Sequence, residues 1–318
     1  MKKIMSKNYF QVVRPGINTT FQDLGRKNFY HIGIPFSGAM DNRNFLLTNV
    51  ISQNQFNSPV LEFAYQGPKL IYKGTNLYFN ITGDVKFQII RKNKLINCNC
   101  YENICLEDND FLDIVSTNRS VYGYLSLGGQ FQLEYYLGSC STNTKAKIGA
   151  NKGKKIEKGE IIEIENIKKN LPKNRIEYLN YKIENIRVIK GPHFDYFSQE
   201  AKNIFFKEKF IVSKLGDRMG IRLEGQNIQN IKNTNIKSEG LVKGVIQIPA
   251  DGKPIIMLSD HGTVGGYPKI GVVISADYDK LVQLPPGSKI KFEETNLKDA
   301  ETIFKLYEME TKNLISKA

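Results

Sequence analysis

The sequence contains no tryptophan, three histidines and four cysteines among 318 residues. It has no apolar run of the roughly 18 residues that a bilayer-crossing helix needs. The opening MKKIMSKNYFQVV is basic but has neither the apolar segment nor the small-residue cleavage site of a secretory signal, so a cytoplasmic protein is expected. His31, His193 and His261 lie far apart in the chain, which leaves no local histidine motif for a metal. Cys98, Cys100 and Cys105 cluster in CNCYENIC, but the C-x-C-x4-C spacing lacks the paired C-x2-C knuckles of structural zinc. With Cys140 they read as reduced cytosolic thiols, and no metal is expected. G-x-x-x-x-G-K-[ST], G-x-S-x-G, H-E-x-x-H and a Rossmann G-x-G-x-x-G after an opening strand are all missing. A nucleotide, if used, is therefore bound in an unfamiliar way or by another chain.

Apolar residues make up 41% of the chain, enough for one large core or two ordinary ones. The net charge of +13 comes from lysines scattered through stretches such as TKAKIGANKGKKIEKGE and NIKKNLPKNRIEY, mixed with Glu and Asn. An Arg-rich stripe with interleaved aromatics is not there, so the surplus reads as a solvated surface and no nucleic-acid partner is expected.

Short segments rich in Val, Ile, Phe and Tyr, cut by Gly, Asp and Pro, dominate the rest: VLEFAY, NLYFNI, VKFQII, VYGYLSL, IRVIK, GIRLE, VIQIP, GVVIS and KIKFE among them. This spacing predicts a mainly β protein of barrels or sandwiches. Hairpin-like turns are expected at Gly83-Asp84 and at Asp251-Gly252. Helices are predicted in MDNRNFLLTNVIS with Asp41 as cap, in FSQEAKNIFF with Ser198 as cap, in ADYDKLVQ with Asp277 as cap, and in the tail through Ala300, Ile303, Phe304 and Tyr307. The charged stretch 166–185 is the expected linker between a β subdomain over 1–165 and a second over 186–318.

Several polar, glycine-bearing blocks carry more chemistry than turns require. TTFQDLGRKNFYHIGIPFSGAMD offers Gln22, Asp23, Arg26, Ser37 and Asp41 in a glycine-punctuated loop suited to an anion. Equally open is that Asp23 pairs with Arg26 while Ser37 and Asp41 cap the next helix. In GDRMGIRL, Arg218 and Arg222 present planar forks for carboxylate or phosphate, or Asp217 pairs with Arg218. In GVIQIPADGKP and DHGTVGGYPK, Gln247, Asp260, Thr263, Tyr267 and Lys269 surround Gly265-Gly266, which permit close backbone approach or a left-handed turn.

Taken in order with LEFAYQGP, GPHFDYF, DRMGIRLEG, SEGLVKG and DYDKLVQLPPGSKIKF, these blocks resemble the family of bacterial 5-oxoprolinase C subunits. That family is also called KipI antagonist (KipA) or allophanate hydrolase subunit 2, and is similar to part of the carboxyltransferase domain of urea carboxylase. The likeness runs over about residues 10–295. It departs at His261, Gly262 and Val264, where many relatives read closer to QTTGGYP. The resemblance implies two cyclophilin-like β-barrel subdomains and ATP-dependent opening of 5-oxo-L-proline to glutamate. The partners it implies are a KipI-like B subunit together with a LamB/YcsF-like A subunit. It further implies anion contacts from Arg218, Lys269 and the Gly265-Gly266 backbone, with Asp23, Asp217 or Asp260 orienting groups or moving protons. Two other roles follow from the same likeness: a KipA-type antagonist of a kinase inhibitor, and a carboxyltransferase component taking biotin from a separate carrier, since no Met-Lys-Met segment is present.

Overall fold

A computed structural model describes residues 8–173, 175–177, 185–229 and 235–317. The protein is mainly β and divides into two compact units: Met1–Arg26 with Asp41–Asn180 and Lys312–Ala318, and Lys27–Met40 with Tyr181–Thr311. Part of the stretch expected to be the linker, 174 and 178–184, lies outside the described residues.

The first unit is layered. An antiparallel five-stranded sheet runs in the order Thr20–Gln22, Val60–Ala64, Tyr122–Leu127, Leu77–Thr82, Ile104–Leu106. A seven-stranded antiparallel sheet, centred on Lys69–Lys73 between Tyr9–Arg14 and Phe111–Thr117, faces it. Side chains of both sheets, including Phe10, Leu70, Leu112, Phe63, Phe79 and Leu125, form one core. Tyr122–Leu127 is buried along its whole length because its other face carries the helix Asn42–Ile51. Strand alternation sends Phe79, Ile81, Leu125 and Leu127 to the core and leaves Glu62, Asn80, Thr82, Tyr124 and Ser126 on the helix side. That buried polar face is matched group by group. Thr48 Oγ1 donates to Asn80 Oδ1 at 2.7 Å, Asn80 Nδ2 donates to Ser52 Oγ at 2.7 Å, and Thr82 Oγ1 donates to the Asn44 carbonyl at 2.8 Å. Asp41 caps the helix as expected, accepting from Asn44 N at 2.9 Å, while its own N–H donates to Tyr124 Oη at 2.7 Å.

The expected turn at Gly83-Asp84 forms, yet it does not close a hairpin. Leu77–Thr82 belongs to the five-stranded sheet and Val85–Arg91 to the seven-stranded one, so the chain changes sheets here with Gly83 at φ +110°. Alternating apolar residues fit either arrangement, and burial of both strands against the shared core selects the crossover.

In the second unit, seven strands close a barrel in the order Asn185–Lys190, Lys269–Val273, Val245–Gln247, Ile255–Met257, Gly220–Glu224, Lys209–Val212, Lys289–Glu294. Closure is made by the parallel pair Asn185–Lys190 and Lys289–Glu294. Asp251-Gly252 is a true hairpin turn, with Gln247 paired to Ile255. The Ser198-capped helix Gln199–Lys207 stacks Phe205 on Phe292 with centroids 4.5 Å apart. The tail helix Leu297–Ile315 packs Ala300, Ile303, Phe304 and Tyr307 against Ile189, Ile274 and Ala276. In the helix Ser275–Val282, Ile274 occupies the cap position expected for Asp277. Asp277 instead sits inside the first turn, where both its oxygens take hydrogen bonds from Arg187, at 2.5 and 2.9 Å. A bidentate, charge-assisted pair outweighs a single capping bond.

Candidate functional site

The long block 19–41 is divided between the units. In the first, Asp23 is fully buried, and its carboxylate accepts from Ser139 Oγ and Ser141 Oγ at 2.6 Å each and from Cys140 N and Gly25 N at 2.8 Å each. Arg26, also buried, donates to the Ser141 carbonyl at 2.7 Å, and Gln22 Nε2 donates to Thr20 Oγ1 and the Thr142 carbonyl at 2.9 Å each. Burial foremost, then the charge of Asp23, pushes the Cys140 thiol far above its ordinary range, so it is no nucleophile. This constellation works as a knot that ties the loop at 139–141 to the strand Thr20–Gln22. Asp23→Ala leaves several buried donors without their acceptor, and at ~1–3 kcal/mol for each such group a loss of about 3 kcal/mol is expected. A shift in the denaturant midpoint checks it, and a change below about 1 kcal/mol would contradict the knot.

In the second unit the candidate residues fall at two levels of the barrel. The register aligns Arg222, Ile255, Gln247 and Lys269 at one end of the ladder, and pairs Gly220 with Met257 toward the other. Arg218 and Asp260 lie beyond that second pair. Arg218 Nε and Nη2 grip Asp260 at 2.8 and 3.1 Å, and Nη2 also donates to the Gly38 carbonyl at 2.6 Å. Both side chains are nearly sealed from solvent, at 6% and 3% exposure. Asp217 accepts from Met219 N at 2.8 Å and shapes the turn before the strand. Ser37 is buried with φ +57°. At the same end the Nδ1 of buried His261 donates to the Gly262 carbonyl at 2.6 Å, and the Tyr30 hydroxyl donates to the Leu241 carbonyl. Burial holds the His261 imidazole below its ordinary pKa, so it is neutral at pH 7.

The Lys269 end is different in kind. The Lys269 ammonium is 4% exposed and donates to Glu239 Oε2 at 2.8 Å, whereas Glu239 is half exposed. His193 Nδ1 accepts from Lys269 N at 3.2 Å while His193 N donates to the Lys269 carbonyl, also at 3.2 Å. With Nδ1 an acceptor, the ring proton is on Nε2, which lies 3.6 Å from Glu239 Oε2. Burial is the main cause that lowers the His193 pKa, so the ring is neutral at pH 7. Glu239 is held below the usual carboxylate range chiefly by its hydrogen bond from Lys269. The turn that delivers His193 requires glycine: a Cβ on Gly191 would come within 2.3 Å of the Lys269 carbonyl oxygen.

Around this group, Gln247 Nε2 donates to the Tyr267 carbonyl at 3.2 Å, leaving the Tyr267 ring exposed. Gly265 has no left-handed φ; its role is close packing, because a Cβ there would lie 2.7 Å from Gln247 Nε2. The Val264–Gly265 strand pairs with Glu239–Gly240, the Thr263 carbonyl accepts from Leu241 N, and that of Gly266 from Ile236 N. These bonds place Glu239 beside Lys269. Arg222 points to solvent with Asp251 at 3.7 Å and joins neither group. From sequence, His193 comes into question only as a metal ligand, and Glu239 is not named. They stand 76 and 30 residues from Lys269, and only the barrel closure and the short ribbon unite them.

The family model for "Carboxyltransferase domain, subdomain A and B" matches residues 32–294. The chain belongs to this carboxyltransferase-domain family. Within it, the chain is 29% identical to the C subunit of 5-oxoprolinase from Escherichia coli (strain K12), across 91% of this chain and 92% of that one. It is 30% identical to the corresponding 5-oxoprolinase C subunit of Haemophilus influenzae, across 88% and 89%. The crystal structure of K. lactis urea amidolyase superposes with a TM-score of 0.85 and 27% identity over 96% of this chain, which corresponds to 20% of that much longer one. Both sheets of the first unit and the closed barrel of the second therefore follow the family's carboxyltransferase fold. Among the described residues, no helix is long and apolar enough to cross a membrane.

Proposed function

We propose that this protein is the C subunit of a 5-oxoprolinase and opens 5-oxo-L-proline to L-glutamate together with a LamB/YcsF-like A subunit and a KipI-like B subunit. The observation that carries the reading is end-to-end likeness to two 5-oxoprolinase C subunits, each matched over about nine tenths of both chains. A lactam is a poor electrophile. Transfer of the γ-phosphoryl group of ATP to its oxygen makes the ring carbon attackable by water. The ring C–N bond then breaks with the nitrogen taking a proton, and a second water hydrolyses the acyl phosphate that remains. Catalysis of this kind depends on held anions and electrostatic donors more than on a nucleophile. The Lys269 ammonium beside neutral His193 suits the carboxylate of the substrate. Arg218, held by Asp260 and the Gly38 carbonyl, serves as a positioning residue. ATP is assigned to the assembled complex, since this chain has no phosphate-loop motif.

The test is omission. The three proteins together are expected to release glutamate from 5-oxoproline only with ATP, and to stop when this chain is left out. Glutamate release that persists without it would overturn the reading. A second role, as a carboxyltransferase component receiving carboxybiotin in trans, is favoured by the close superposition on urea amidolyase. It predicts instead that carboxybiotin is consumed on an amide or urea-like acceptor.

A further inference from the structure

The Lys269 group joins a built cation to a borrowed anion. Lys269 begins a barrel strand, is nearly sealed from water, and is clasped to His193 by the reciprocal backbone and ring bonds. Its counter-ion does not come from the barrel. Glu239 belongs to a strand of two residues, both exposed, that pairs with Val264–Gly265 in a two-stranded ribbon. A Cβ placed on Gly240 would meet nothing within 4 Å, so the ribbon is open on that side. A buried ammonium requires a partner, yet here the partner is the most exposed member of the group and reaches in from outside. One oxygen of Glu239 faces both Lys269 Nζ at 2.8 Å and His193 Nε2 at 3.6 Å. That is the position a ligand carboxylate would take.

From this geometry we infer that the space between Lys269 and His193 is a carboxylate-binding slot, and that Glu239 occupies it as a removable internal stand-in for the ligand's carboxylate. An incoming carboxylate exchanges with Glu239, one charge-assisted pair replacing another. The barrel side of the slot is unchanged while the exposed ribbon returns Glu239 to water. A carboxylate is favoured over a phosphate because the slot supplies a single buried cation and one neutral imidazole. A phosphate dianion would be left undercompensated there. The choice of 5-oxo-L-proline as the natural occupant rests on the proposed function; the slot itself does not.

Three histidines make the test direct, because the imidazole Cε1–H resonances are few and His193→Gln identifies the one that matters. Sodium acetate, and separately 5-oxo-L-proline, are titrated into the full chain at about pH 7.5, where His193 is neutral, with sodium chloride at matched ionic strength as reference. Glu239→Ala is expected to move the His193 resonance at an acetate concentration at least tenfold lower than the unaltered protein requires, and Lys269→Met to abolish the response. Glu239→Gln, which keeps an acceptor in the slot, should fall between. Equal concentration dependence with and without Glu239 would overturn the stand-in. A silent His193 in Glu239→Ala, or an equal response to chloride, would overturn the carboxylate slot. If acetate binds and 5-oxo-L-proline does not, the slot stands and 5-oxo-L-proline is not its occupant in the isolated chain; the omission test on the assembled complex then decides the oxoprolinase reading.

Discussion

Arg218→Ala is expected to lower stability by about 3–5 kcal/mol, the range for breaking one side of a buried ion pair. The effect is large because Asp260, 3% exposed, is left without the guanidinium that holds both its oxygens, and the Gly38 carbonyl loses its donor as well. Asp260 N donates to the Arg218 carbonyl at 2.8 Å and Leu258 N to that of Met219, so the loss falls on the junction of two barrel strands. Arg218→Lys recovers little, since a single ammonium cannot reproduce the fork. Denaturant unfolding followed by circular dichroism reads the change. A loss under about 1 kcal/mol would show that the pair is not what closes this end of the barrel.

Lys269→Met separates in the opposite direction. Methionine fills nearly the same space, and the partner left behind, Glu239, is half exposed and returns to water. Little stability is therefore lost. If Lys269 holds the substrate's carboxylate through the reaction, glutamate release by the reconstituted complex should fall by about 10²–10³-fold, the magnitude for removing one well-placed electrostatic contact. Unchanged turnover with Lys269→Met would eliminate that role. The two variants are expected to separate a cation that serves the fold from one that serves the chemistry, although the sequence presents both as basic residues in glycine-bearing loops.

Much of the architecture was legible in the residues. Alternating Val, Ile, Phe and Tyr between Gly, Asp and Pro marks a β protein, and local chemistry places the caps at Asp41 and Ser198. The failures were tertiary. Gly83-Asp84 has the composition of a hairpin turn, but burial against the shared core sends its two strands to different sheets. Asp277 is a good capping residue by type, and Arg187, 90 residues away, claims it with a bidentate pair. For Asp23 and Arg26 the sequence leaves an anion contact and a local pairing both open; their bonds to residues 139–141, more than 110 positions away, are visible only in the fold.

By itself the sequence determined the fold class, the glycine positions where backbones pass closely, and the ordered motifs that mark the family. Those properties depend on neighbours in the chain or on steric limits of single residues. Which charges pair was decided only by tertiary structure. The barrel register puts Arg218 with Asp260 at one end and Lys269 with His193 at the other, and the two-residue ribbon brings in Glu239. A charge responds to burial and to whichever opposite charge arrives within about 4 Å, and neither is encoded in the spacing of residues along the chain.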